Sequence, residues 1–236
     1  MIKEAIILAG GLGTRLRSVV SDVPKCMAPV AGKAFLFYII QNLLKQRVEK
    51  FIFSLGYKSE SIVEFIENNF PNISYDFSIE AEPLGTGGAI LLACNKATQN
   101  EILILNGDTF FEINVDSLYK FHFKKNAICT LCLKPMNNFD RYGVVEINDE
   151  NCIISFKEKQ FYKHGLINGG IYLINRKELL EQNFPERFSF ENLYLENSVN
   201  RYSVFGFIQD EYFIDIGIPE DFQKAQMDFT SFNLNK

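Results

Sequence analysis

The sequence lacks several features that would assign it to other classes of protein. Its 236 residues have a net charge of -5, and no run of lysine or arginine marks a nucleic-acid-binding surface. No apolar stretch is long enough to span a membrane. The apolar run at the N-terminus ends at Ala9 and glycines follow it, so we expect no signal peptide. These absences favour a cytoplasmic protein that binds neither nucleic acid nor membrane.

Cysteine and histidine are scarce as well, with five and two residues. Cys129 and Cys132 have C-x-x-C spacing, but no second Cys/His pair accompanies them, and on a strand their side chains would point to opposite faces. We interpret them as buried, small hydrophobic residues, and reduced thiols suit the cytosol. His122 and His164 are interpreted as surface or structural residues.

Hydrophobic periodicity predicts an α/β fold with a mixed, mainly parallel central sheet. In the first half, short apolar runs alternate with amphipathic stretches, which is typical of parallel strands joined by helices. In the second half the strands follow each other closely, and 144–156 is predicted to be a hairpin. Without repeats or linkers, 1–230 is predicted to form one domain, followed by a tail at 231–236. The predicted strands are 4–8, 51–55, 73–77, 102–105, 128–134, 142–147, 153–157 and 170–174, and the helices 35–45, 59–68, 88–97, 176–181 and 219–227.

A glycine-rich segment, Ala9 to Leu16, follows the first predicted strand. Such a turn exposes backbone N–H groups that bind phosphate oxygens. Leu16 stands where a dinucleotide fingerprint needs its third glycine, and no Gly-Lys-Ser/Thr follows as in a P-loop. Arg15 supplies a planar cation that can clamp phosphate, the alternative being a tight turn with Arg15 solvated. Lys25 follows closely after Pro24.

Two aspartates are candidate metal ligands. Asp108 ends a buried strand, and the carboxyl ends of parallel strands line the ligand crevice of such sheets. Asp215 is far away in sequence, and the alternative for it is helix capping before Pro219 or a turn. Magnesium is commonly held by one or two carboxylates together with waters and substrate phosphates.

The segment Ala9-Gly-Gly-Leu-Gly-Thr-Arg-Leu16 followed by Pro24-Lys25 resembles the signature of the sugar-phosphate nucleotidyltransferases. The resemblance extends from Met1 to about Met227 and implies a three-layer, Rossmann-like (GT-A-like) fold. It also implies magnesium-dependent transfer of a nucleotidyl group to a sugar 1-phosphate, with release of pyrophosphate. By the same resemblance, 1–125 would mainly bind nucleotide and 126–230 mainly sugar phosphate.

Within this family the chain as a whole most resembles guanylyltransferases that act on D-glycero-α-D-manno-heptose 1-phosphate. We therefore expect GTP and that sugar 1-phosphate as substrates, in the synthesis of surface polysaccharides. Mannose-1-phosphate guanylyltransferases and N-acetylmuramate or hexose 1-phosphate uridylyltransferases are alternatives within the family. A non-catalytic regulatory protein that binds sugar nucleotides is the alternative from a different class. The sequence does not determine the oligomeric state and is compatible with a homo-oligomer.

The resemblance assigns roles to individual residues. Arg15, Lys25 and Asp108 are expected to be catalytic, and Asp108 and Asp215 to bind Mg2+. The expected nucleotide-binding residues are Leu8, Ala9, Gly10, Gly11, Gly13, Thr14, Arg15, Glu82, Pro83, Gly85, Thr86, Asn106 and Gly107. The expected sugar-phosphate-binding residues are Lys25, Tyr142, Gly143, Glu158, Lys159, Asn168 and Gly169, an ordinary charged strand edge being the alternative for Glu158 and Lys159.

Glu82 is a candidate for recognition of the base. Guanine presents N1–H and its 2-amino group side by side, and one carboxylate can accept both hydrogen bonds. Uracil and thymine present one such donor between two acceptors, which a carboxylate repels. Glu82 therefore favours GTP if it faces the base, whereas a solvated loop glutamate would make no such choice.

Overall fold

The structure is a computed structural model that describes residues 1–11, 20, 23–199 and 204–231. Leu12, Gly13, Thr14, Arg15 and Leu16 lie outside the described residues, so the predictions for this part of the glycine segment remain predictions.

Thirteen strands and seven α-helices are assigned in the described residues. The strands are β1 Glu4–Leu8, β2 Pro29–Val30, β3 Lys33–Ala34, β4 Lys50–Leu55, β5 Ser74–Ile79, β6 Glu101–Asn106, β7 Thr109–Phe111, β8 Cys129–Phe139, β9 Val145–Ile147, β10 Ile153–Phe156, β11 Tyr162–Asn175, β12 Val204–Ile208 and β13 Phe213–Asp215. The helices are α1 Phe35–Lys45, α2 Ser59–Asn69, α3 Gly85–Cys94, α4 Val115–Lys124, α5 Arg176–Leu180, α6 Glu196–Ser198 and α7 Pro219–Thr230, with a 3-10 turn at Lys25–Met27 and a π-helical turn at Phe190–Leu195.

Seven strands form the central sheet in the order β12-β8-β11-β6-β1-β4-β5. Strands β6, β1, β4 and β5 are mutually parallel, and β12 is parallel to β8. Only β11 runs against its two neighbours in this sheet, which joins the two parallel groups. The predicted mixed, mainly parallel sheet is confirmed, and β9 and β10 form the predicted antiparallel hairpin beside it.

The alternation of side chains along the strands builds two hydrophobic clusters, one on each face of the sheet. On β1, Ala5 and Ile7 belong to the cluster that includes residues of α1, α2 and α7, while Ile6 belongs to the cluster with residues of α3 and α5. Cys132 and Cys129 divide between the same two clusters, as expected for a spacing of three on a strand. Helices therefore cover both faces, which gives three layers.

Local signals in the sequence begin several helices. Asn114 accepts a hydrogen bond from Ser117 N (2.8 Å) at the start of α4, and Asn175 accepts one from Glu178 N (3.0 Å) at the start of α5. Pro219 occupies the first turn of α7, where its missing N–H costs nothing. None of the helices in the described part of the chain is both long and apolar enough to cross a bilayer.

Candidate active site

A cleft of about 830 Å³ lies at the carboxyl ends of strands β6, β1, β4 and β5. Parallel strands place their carboxyl ends at one edge of a sheet, so loops that are distant in sequence meet there. Its described lining residues are Leu8–Gly11, Lys25, Cys26, Ser54, Gly56, Tyr57, Glu80–Pro83, Gly85, Thr86, Ala89, Asn106–Thr109, Glu191, Asp215 and Gly217.

The described part of the glycine segment forms the middle of this cleft. Ala9 N donates to Ser54 O (2.8 Å), which ties the end of β1 to β4. On the other side, Gly107 N donates to Leu8 O (2.8 Å). A Cβ on Gly107 would lie only 2.8 Å from Leu8 O, so glycine permits this close approach of the two strand ends.

Lys25 joins the two predicted metal ligands. Its Nζ lies 2.5 Å from Asp108 Oδ2 and 3.2 Å from Asp215 Oδ1, and 16% of the lysine side chain is exposed. The two carboxylate oxygens therefore lie no farther apart than the sum of these two distances. Asp108 and Asp215, 107 positions apart in the sequence, converge on one cation.

Backbone pairing holds the two aspartates beside each other. Asp215 ends β13, which pairs with β7 so that Asp215 is opposite Thr109. Ile216 N donates to Asp108 O (3.1 Å), and Gly217 N donates to Asp215 Oδ1 (2.8 Å). The second oxygen of Asp215 lies 3.7 Å from the guanidinium of Arg141, which also pairs with Asp221.

The donor set fits a hard divalent cation better than a soft one. Within the described residues, no group of three or more His, Cys, Asp or Glu side chains could hold a metal ion. The carboxylates of Asp108 and Asp215 already converge on the ammonium group of Lys25. Magnesium commonly takes one or two carboxylates and completes its shell with water and phosphate oxygens. This end of the cleft is thus suited to a metal that arrives with a polyphosphate.

Burial shifts two pKa values near the aspartates. It raises the pKa of the Cys26 thiol to about 12, with a further contribution from the Asp108 charge, so this cysteine stays protonated at neutral pH. The pKa of Tyr142 is raised to about 12 by burial and then by the charge of Asp215. Neither group supplies a base to the cleft.

At the opposite end, the cleft is lined by the segment that runs into α3. Glu82, Pro83, Gly85 and Thr86 all line it, as predicted for nucleotide-binding residues. The Glu82 side chain is 81% exposed, and its carboxylate pairs with Arg187 at 3.3 Å. Gly85 has φ +72°, and a Cβ there would lie 2.5 Å from Phe188 O, so this glycine also serves packing within the protein.

Two further carboxylates, not predicted from the sequence, line this end. Glu80 Oε2 accepts a hydrogen bond from Leu84 N (3.0 Å). Glu191 Oε2 accepts hydrogen bonds from the hydroxyls of Thr86 (2.7 Å) and Ser189 (3.0 Å). The Glu-x-Glu-Pro pattern offers Glu80 as readily as Glu82, whereas nothing in the sequence near Glu191 marks it.

Of the residues predicted on the sugar-phosphate side, Lys25 lines this cleft and the other six lie outside its lining. These six are Tyr142, Gly143, Glu158, Lys159, Asn168 and Gly169. Glu158 and Lys159 are exposed, while Asn168 Nδ2 donates to Tyr172 OH (2.9 Å), which in turn lies 3.5 Å from Glu191 Oε1. The structure thus links Asn168 to the cleft wall, and a sugar-binding role for these residues stays a prediction.

Fold and cleft together define an α/β protein with a cleft at the carboxyl ends of parallel strands and a pair of carboxylates suited to a divalent cation. Residues 4–231 match the nucleotidyl transferase family. The chain belongs to this family.

Two relatives of similar length show which members of this family the chain resembles. The chain is 48% identical to the D-glycero-alpha-D-manno-heptose 1-phosphate guanylyltransferase of Aneurinibacillus thermoaerophilus, over 97% of this chain and 99% of that one. Its identity to the enzyme of the same name from Campylobacter jejuni is also 48%, over 93% and 96% of the two chains.

Solved structures share the fold of this chain. Crystal structures of HddC from Yersinia pseudotuberculosis superimpose with TM-scores of 0.88 and, for the complex with GMP-PN, 0.86. Both are 36% identical to this chain and cover 97% of it and 100% of the HddC chain.

Proposed function

We propose that this protein catalyses the reaction of GTP with D-glycero-α-D-manno-heptose 1-phosphate to give GDP-heptose and pyrophosphate. The two heptose 1-phosphate guanylyltransferases at 48% identity support this substrate pair, as does the similarity to HddC, which has been crystallised with GMP-PN. The observation that carries the proposal is the convergence of Asp108 and Asp215 on Lys25 Nζ at one end of the cleft.

The reaction needs positioning and charge neutralisation more than acid–base chemistry. An oxygen of the sugar 1-phosphate attacks the α-phosphorus of GTP in line, and the bond between the α-phosphorus and the oxygen bridging to the β-phosphate breaks. The attacking phosphate is already largely ionised at neutral pH, since its second pKa is about 6. No general base is required, which agrees with the protonated state of Cys26 and Tyr142.

Each group of residues has a part in this proposal. The backbone of Leu8–Gly11, together with Arg15 from outside the described residues, would bind the triphosphate. Asp108 and Asp215 would hold Mg2+, which neutralises charge on the phosphate oxygens when it is bound. Lys25 would then turn from the carboxylates towards phosphate. Tyr142, Gly143, Glu158, Lys159, Asn168 and Gly169 would form the sugar side, within one domain.

A substrate panel tests the proposal. Purified protein is offered GTP, UTP, CTP or dTTP, each with heptose, mannose or N-acetylmuramate 1-phosphate, and pyrophosphate release is measured with Mg2+ and with EDTA. We expect the highest kcat/KM for GTP with the heptose, and Asp108→Asn should lose at least ~100-fold in kcat, as when one oriented electrostatic group is removed. A preference for UTP, or activity unaffected by EDTA, would contradict the proposal.

A further inference from the structure

We propose that Asp221 is a positioning residue, which keeps Asp215 available to a divalent cation by holding Arg141 away from it. This inference rests on the proposed function, in which Asp108 and Asp215 hold Mg2+, and adds to it a residue that acts through another side chain. Asp221 lies in the first turn of α7. Its partner Arg141 comes from the connection between β8 and β9.

Arg141 divides its guanidinium group between two carboxylates. One terminal nitrogen, Nη1, is paired with Asp221 Oδ2, while the other, Nη2, lies 3.7 Å from Asp215 Oδ2. The second distance exceeds that of an N–H···O hydrogen bond, which is about 2.7–3.2 Å. The guanidinium is therefore bound to Asp221, and its interaction with Asp215 is electrostatic and longer in range.

Helix α7 fixes the position of Asp221. The carboxylate lies at the N-terminal end of a helix of 12 residues, where the partial positive charge of the helix dipole stabilises it. The next residue, Phe222, is buried in the core. Further along the helix, the side chain of Gln226 bonds to Ala31 N (2.8 Å) and Pro29 O (2.5 Å). Asp221 thus holds the guanidinium from a helix that is itself anchored.

Contacts with aromatic rings keep Arg141 beside Asp215. The guanidinium carbon lies 5.3 Å from the centre of the Tyr142 ring, which is a cation–π contact. The Tyr142 ring packs edge-on against Phe213, with 6.0 Å between the ring centres. Phe213 begins β13, the strand that ends in Asp215. Arg141 therefore stays near Asp215 when its bond to the α7 carboxylate is removed.

An Arg141 released in this way would compete with the metal for Asp215. Arginine and a carboxylate form a bidentate pair, in which both carboxylate oxygens accept hydrogen bonds. Asp215 Oδ1 already accepts hydrogen bonds from Lys25 Nζ (3.2 Å) and Gly217 N (2.8 Å). A bidentate arginine would also occupy Oδ2 and bring a second positive charge to the cation site. With Arg141 bound to Asp221, only the lysine has to be displaced.

The experiment is a double-mutant cycle on Asp221 and Arg141, with Mn2+ binding as the readout. Mn2+ is titrated into nucleotide-free protein, and free Mn2+ is measured by electron paramagnetic resonance. We expect Asp221→Asn to bind Mn2+ about tenfold more weakly than wild-type protein, because a charge-assisted hydrogen bond then has to be broken first. In the Arg141→Met background, the same substitution should weaken binding by at most about threefold, from the lost charge alone.

Glu220→Gln is the matched control for Asp221→Asn. It removes the same charge from the same turn of α7, at an exposed position, and should leave Mn2+ binding close to that of wild-type protein. Wild-type affinity in Asp221→Asn would overturn the inference. Equal losses from Asp221→Asn in the wild-type and Arg141→Met backgrounds would overturn it too, since the aspartate would then act without the arginine.

Arg141→Met on its own gives a second test, should Asp221→Asn not fold. This variant has no guanidinium near Asp215 and should bind Mn2+ at least as tightly as wild-type protein. Weaker binding would mean that Arg141 supports the cation site, which overturns the inference. Wild-type protein that binds no Mn2+ would overturn the metal role in the proposed function as well, whereas each of the other contrary outcomes overturns this inference alone.

Discussion

Lys25 balances the charge of two carboxylates that would otherwise repel each other. Its Nζ is within hydrogen-bonding distance of both Asp108 and Asp215, and the lysine side chain is largely buried. A divalent cation that uses these aspartates has to displace the ammonium group first. The lysine therefore stabilises the pair of aspartates and would compete with a metal ion that binds them.

Replacing Lys25 with Met should strengthen metal binding while it weakens catalysis. A hydrogen bond to a charged group contributes about 1.5–3 kcal/mol, so Mn2+ should bind nucleotide-free Lys25→Met at least about tenfold more tightly than wild-type protein. Titration followed by electron paramagnetic resonance measures free Mn2+ directly, without reference to turnover. Lys45→Met, at an exposed position at the end of α1, is the control. Weaker Mn2+ binding in Lys25→Met would show that the lysine supports the site rather than competes for it.

At this scale the sequence predicts residues that carry a motif and misses residues that act through distant partners. Lys25, Asp108 and Asp215 could be chosen because their segments resemble those of a known family, and the structure places them together. Glu191 could not, because its partner Thr86 is 105 positions away and the contact exists only after folding. The sequence also does not distinguish the environments of Glu80 and Glu82, because only the structure shows that Glu80 accepts a hydrogen bond from Leu84 N.

Helix α3 shows how glycines shape a site through packing. A Cβ on Gly87 would lie 2.1 Å from the ring of Phe188, and one on Gly88 would lie 2.3 Å from Glu186 O. Backbone hydrogen bonds also connect the start of α3 to the segment around Phe188. Gly87 N donates to Phe188 O (2.9 Å), and Phe188 N donates to Leu84 O (3.0 Å). Because the glycines leave this face of α3 without side chains, the segment before Glu191 packs closely against the wall of the cleft.

Gly88→Ala should destabilise the protein, although alanine is the better helix former. Alanine in a helix gains about 0.5–1 kcal/mol over glycine, but overpacking against a backbone oxygen costs about 1–3 kcal/mol. We expect a net loss in the free energy of unfolding, measured by urea denaturation. Gly11→Ala, where a Cβ has no neighbour within 4 Å, is the matched substitution and should change that free energy little. A Gly88→Ala protein as stable as wild type would mean that the segment at Glu186 moves aside without cost.

Elements with a clean periodic pattern were predicted well, and those with a mixed pattern were missed. Strand β1 and helix α1 have the predicted bounds. Helix α4 was not predicted, because its buried face consists of Val115, Leu118 and His122 and a histidine breaks the apolar pattern. Strand β12 was not predicted either, since Gly206 in its middle weakens the strand signal. A Cβ there would lie 2.3 Å from Leu133 Cδ1, a constraint visible only in the packed sheet.

The order of strands decides where the site forms in the whole molecule. Alternating strands and helices predicted parallel pairing, but not that β1 would lie between β6 and β4. That order depends on how each crossover packs, which local patterns do not encode. It brings the ends of β6, β1, β4 and β5 to one edge and so makes a single cleft from loops spread over most of the chain.

Packing of α4 against the sheet also makes the stability of the whole chain depend on pH. His122 is buried, and its Nδ1 lies 2.8 Å from the hydroxyl of Thr130 on β8. Burial lowers the pKa of His122 from 6.5 to about 4, because the protonated ring is disfavoured away from water. Between pH 4 and pH 6.5, His122 is therefore mostly protonated in the unfolded chain and mostly neutral in the folded chain.

Stability should therefore be highest above pH 6.5 with respect to this group, and should fall as the pH drops towards 4. The loss is up to about 3 kcal/mol, from about 1.36 kcal/mol per unit of pKa difference. Carboxylates titrate in the same window, so the measurement is the difference in free energy of unfolding between wild-type protein and His122→Asn from pH 7 to pH 4. We expect the variant to lose less stability than wild type over this range, while His164→Asn, at an exposed position, keeps the wild-type slope. Parallel curves for wild type and His122→Asn would show that the buried ring accepts its proton without unfolding the chain.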